Sequence, residues 1–129
     1  MFDFKTLNDL SKDIHAANIA KGFWDREPNV GELLMLVTSE LGEALEAHRH
    51  GKRVDLKYIE VYKVSSAVIE EPHNSFFKEN IKDTFEDEIA DAVIRLFDMA
   101  GGLGIDLAFH VQAKLEYNKS RPHKHGKAY

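Results

Sequence analysis

Apolar residues recur at three- and four-residue spacing along most of the chain, the period of an amphipathic helix. Leu7, Leu10, Ile14 and Ala17 mark a first helix, which Thr6 with Asp9 would cap and Gly22 would end after about Lys21. Asn29 with Glu32 predicts a capping box for a second helix. Its stripe is Val30, Leu33, Leu34, Val37, Leu41, Ala44 and Leu45, and Gly51 is a natural stop. Residues 55–71 mix both periods and are read as a short helix ending before Pro72, with a turn over 72–75. From Phe76 one long helix is expected, with Ile81, Phe85, Ile89, Ala92, Leu96 and Met99 as its core stripe and a stop at 101–104. Asp106 then opens a last helix carrying Leu107, Val111 and Leu115. The pattern predicts an all-α bundle of four to five helices in a single domain, 1–129.

Composition narrows the chemistry. The 129 residues include no cysteine, which removes disulfides, thiolate metal sites and cysteine nucleophiles together. A net charge of -5 argues against a general nucleic-acid surface. No apolar run approaches the roughly 18 residues of a membrane span, so no membrane partner is expected. Residues 1–5 lack the basic start and apolar stretch of a signal peptide, making the cytoplasm the expected address.

Four acids interrupt the helical pattern. Glu40 and Glu43, and later Glu88 and Asp91, are each three apart, so each pair shares a helix face, one turn apart. Both pairs border apolar stripes, with Leu36 and Ala47 flanking the first. Carboxylates so placed need cations, because unpaired buried charge is costly. Two such helices packed together would clamp a divalent metal. An all-carboxylate set selects a hard cation, Mg2+ or Mn2+, over zinc. Exposed faces paired with lysines are the plainer account, and they suit Glu86 and Asp87 better than these four. Glu46 lies on another face, and His48 and His50 point to different sides, facing solvent.

A magnesium site keeps positions for substrate phosphate, and Lys114, Asn118 and Arg121 offer a cationic clamp for one. A solvated helix end explains those residues equally well on their own. Phe23 and Trp24, in the connection before Pro28, either close a small apolar core or stack on a base.

Ser39-Glu-Leu-Gly-Glu-Ala-Leu-Glu46, Glu88-Ile-Ala-Asp91 and Lys114-x-x-x-Asn118 resemble the MazG-like all-α nucleotide pyrophosphohydrolases, relatives of the dimeric dUTPases and dCTP pyrophosphatases. The resemblance runs from about Trp24 to the end. It implies hydrolysis of a nucleoside triphosphate to monophosphate and pyrophosphate. Magnesium would be held by Glu40, Glu43, Glu88 and Asp91, with Glu40 and Glu43 in the catalytic role. Lys114, Asn118 and Arg121 would meet phosphate, and Trp24 the base. A homodimer or homotetramer with sites between subunits is also implied. The chain departs from the family in two places. Ser39 stands where a second adjacent acid is usual, so another group must activate water. The gap between the acidic motifs, through residues 55–75, is also long. A catalytically silent helical module that binds nucleotide or a partner protein is the alternative, and an enzyme acting on another pyrophosphate-containing metabolite is a third reading.

Overall fold

The computed structural model describes residues 5–68 and 74–129. Their regular structure is entirely helical: α1 (Lys5–Ala20), α2 (Val30–Arg49), α3 (Leu56–Val68), α4 (Asn74–Asn80), α5 (Phe85–Gly102) and α6 (Leu107–Lys119), then a 3-10 turn (His123–Gly126). The residues form two compact units, one made of Met1–Pro28 and Leu96–Tyr129, the other of Asn29–Arg95.

In the first unit, α1 ends as its sequence suggests. Gly22 adopts φ +85 and the Phe23 N–H returns to the Asn18 carbonyl, a left-handed glycine stop. Thr6, however, lies inside the helix and not at its cap. The Asp106 side chain caps α6 by accepting the Phe109 N–H at 3.0 Å. Asn8 of α1 ties the two helices, donating to Asp106 and accepting from the Ala108 N–H. Gly101 and Gly102 are within α5 and do not end it. A Cβ on Gly101 would come within 2.8 Å of the His15 Cβ, and one on Gly102 within 2.2 Å of the Trp24 ring. These glycines therefore let α1 and the Trp24 loop approach the α5 backbone. The turn that follows uses Gly104, at φ +66.

In the second unit, Asn29 caps α2 through the Glu32 N–H, and Gly51 closes it at φ +64. The long helix expected from Phe76 is two helices. Asn74 and Ser75 already belong to α4, while Pro72 and His73 lie outside the described residues. Asp83 turns left-handed at φ 62, Thr84 accepts the Asp87 N–H, and the Asp87 carboxylate accepts the Asp83 N–H. This reciprocal cap restarts the chain as α5, a signal masked in the sequence by an unbroken apolar period. The Phe85 N–H donates to the Lys52 carbonyl, and Arg53 pairs with Glu86 and covers the Phe85 ring. The end of α2 is thereby pinned to the start of α5. The expected lysine partner of Glu86 is this arginine.

The stripes read from the sequence are only half buried. Val37, Ala44 and Ala47 are buried on α2, but Val30, Leu34, Leu41 and Leu45 remain 45–50% exposed. Ala92 is buried on α5, whereas Ile89 and Leu96 are 38% and 43% exposed. The interior contacts are made by small side chains, and no large side chain is fully enclosed among the described residues. Periodicity marks which face is apolar but not whether the same chain covers it.

Candidate metal centre

Within the second unit, the inward face of α2 runs Val37, Glu40, Ala44, Ala47, so Glu40 lies in the buried stripe and not merely beside it. Only 7% of Glu40 is exposed, and Glu88, from the first turn of α5, is exposed by 6%. Carboxylate oxygens of Glu40, Glu43 and Glu88 all lie within 4.8 Å of one another. Asp91 is half-buried one turn beyond Glu88, outside this closest group but near enough for its charge to be felt by the others.

The electrostatics are those of crowded anions. Burial, then the neighbouring Glu43, Asp91 and Asp87, pushes the Glu88 carboxyl up to about 7. Burial and then Asp87 and Glu40 also raise Asp91, against a lowering by Arg95. An acid in these surroundings is relieved by keeping its proton or by gaining a cation. The donor set is oxygen-only, from two helices, and fits a hard divalent ion in the Mg2+ and Mn2+ class. A second acidic group, Asp83, Asp87 and Glu88, is accounted for by the helix cap that holds Asp83 and Asp87.

Arg95 is one residue that sequence reasoning missed. Its Nε donates to Glu40 Oε1 at 2.5 Å, joining α5 to α2 across the acidic group. The signal was present: Arg95 follows Glu88 by seven residues and Asp91 by four, and so shares their face. Ser39 takes no part, because its hydroxyl donates to the Leu36 carbonyl of its own helix.

Compared with protein-family models, curated proteins and solved structures, the chain shows no match.

The remaining predicted residues belong to the first unit. Lys114 and Arg121 flank the Tyr117 ring, at 5.1 and 5.7 Å, and among the described residues neither has an acidic partner. The Asn118 side-chain oxygen is buried without a hydrogen bond. Lys114 and Arg121 thus share one tyrosine ring. Trp24 is half-buried, and Phe23 is 74% exposed, so only Trp24 entered a small core. The indole N–H of Trp24 donates to Asp98, which also accepts from His15 at 2.8 Å and Asn18 at 2.8 Å. The ring edge meets His15 and its six-membered part packs on Gly102. Asp98 was not singled out in the sequence, although a lone acid inside Val93–Met99, an otherwise apolar run with Arg95, could have drawn notice.

Proposed function

We propose that this chain is a magnesium-dependent nucleoside triphosphate pyrophosphohydrolase, releasing pyrophosphate and a monophosphate, as the resemblance to MazG-like enzymes implies. The observation that carries the reading is the convergence of Glu40, Glu43 and Glu88 from two helices, with Glu40 and Glu88 both buried. Glu40, Glu43, Glu88 and Asp91 would hold the metal. A bound divalent ion neutralises phosphate oxygens and acidifies water. Glu40 also pairs with Arg95, and Glu43, the exposed member of its pair, would be the carboxylate to take the proton from the attacking water. Lys114, Asn118 and Arg121 are the residues that the resemblance implies for phosphate binding. The uncovered part of Trp24 and the exposed Phe23 ring offer stacking surface to any base.

The uncovered leucines of α2 support assembly into a homodimer or homotetramer, since rows of apolar side chains half-open to water are costly in a lone chain. Among the described residues no helix is long and apolar enough to cross a membrane.

The test is pyrophosphate release from the eight common nucleotides, with and without magnesium, detected as phosphate after added pyrophosphatase. Glu43→Gln and Asp91→Asn should each lower turnover by about a hundredfold or more. Unchanged turnover in both sinks the site assignment. No phosphate from any nucleotide favours the second reading, a silent nucleotide- or protein-binding module, which Ser39 at the place of the usual second acid supports.

A further inference from the structure

Arg95 is not explained by metal binding, since a cation beside a metal site competes with the ion for the same carboxylates. Its contacts suggest a different use. The guanidinium is anchored through one nitrogen only, Nε on Glu40. Among the described residues its two terminal nitrogens have no partner, and 40% of the side chain is open to solvent while Glu40 beneath it is 9% open. The arginine thus presents a fixed pair of N–H donors at the rim of the acidic group. Two donors on a planar fork match two oxygens of one phosphate.

Charge points the same way. Four carboxylates outweigh one divalent ion by two charges, so a phosphate approaching the loaded site still meets a net negative surface. Arg95 removes one of those charges at the place of approach.

We propose that Arg95 is a phosphate ligand of the acidic site, prepositioned by Glu40 to take the terminal oxygens of a metal-bound di- or triphosphate. The inference rests on the metal-site reading above but adds a residue and a ligand class to it. Its role differs from that of a simple counter-ion. A counter-ion to Glu40 would change the affinity for the metal and leave phosphate binding to the loaded site unaltered.

The experiment is calorimetric titration of the full chain, first with Mn2+ alone and then with inorganic pyrophosphate at saturating Mn2+. Pyrophosphate carries no base, so the readout isolates the phosphate contact. Arg95→Gln is expected to bind Mn2+ within a few fold of the parent, and to lose about tenfold to a hundredfold in pyrophosphate affinity, the size of a charge-assisted pair of hydrogen bonds. Arg95→Lys keeps the charge near Glu40 but lacks the fork, and should lose about threefold to tenfold. Circular dichroism checks the fold of both. If Arg95→Gln does not fold, Arg95→Lys decides the matter. Pyrophosphate affinity unchanged in the folded variant overturns the assignment while leaving the metal site standing. A parent protein that binds neither Mn2+ nor pyrophosphate overturns the metal-site reading together with the inference. Lost Mn2+ affinity with unaltered pyrophosphate binding at saturating metal makes Arg95 a counter-ion and also overturns it.

Discussion

Helix α5 carries two buried acids, Glu88 and Asp98, with opposite surroundings. Asp98 is 9% exposed and accepts hydrogen bonds from His15, Asn18 and Trp24. Glu88 is 6% exposed and is faced by Glu43, Asp91 and Asp87. Burial alone therefore says little about function. A carboxylate whose lone pairs are all taken by donors joins elements together. A carboxylate surrounded by its own kind stores unfavourable charge, and a cation relieves it.

The comparison breaks most visibly at Asp98. Asp98→Ala strands three donors at once and should cost about 3 kcal/mol of stability or more, measured by urea unfolding. The single tryptophan gives a second readout, because Trp24 loses its partner and its fluorescence should shift. Mn2+ affinity should not change. An Asp98→Ala protein of parental stability would show that the network is incidental.

Glu88→Gln should do the reverse. Removing the charge relieves repulsion, so the metal-free protein is expected to be as stable as the parent or up to about 1 kcal/mol more stable at pH 8. Metal affinity should fall. The pH dependence follows from the sign of the shift. With a folded value of about 7, raised above the ordinary 4.5, the folded chain holds this proton more tightly than the unfolded chain does. Glu88 thus lowers stability as pH rises from about 4.5 to about 7, and by a constant amount above that. Mn2+ must displace the same proton, so its affinity should climb over the acidic range and level off above about 7. Glu88→Gln should flatten the stability profile. A profile that keeps its slope in that variant would place the titrating group elsewhere.

Much of this is legible in the sequence. Helix caps at Asn29 and Asp106 and the glycine stops at Gly22 and Gly51 are local chemistry, and local chemistry is written in adjacent residues. The acid pairs were visible because three-residue spacing fixes a shared face. The break at Asp83 was not, since Ile81, Phe85 and Ile89 keep helical spacing straight across it. Arg95 and Asp98 were missed for another reason. Their roles depend on Glu40 of α2 and on His15, Asn18 and Trp24, which are distant in sequence and met only through packing. Exposure was the least legible property. A leucine at a stripe position, such as Leu41, looks the same whether its own chain or another molecule covers it.

The central claim is that Glu40, Glu43, Glu88 and Asp91 hold a divalent ion. Its most direct test is Mn2+ titration of the metal-free protein by calorimetry, beside Glu43→Gln, a substitution at an exposed position that leaves the core untouched. Saturable binding by the parent at pH 8, weakened by about tenfold or more in Glu43→Gln, is the predicted result. No binding by the parent, or equal binding by both proteins, would contradict it.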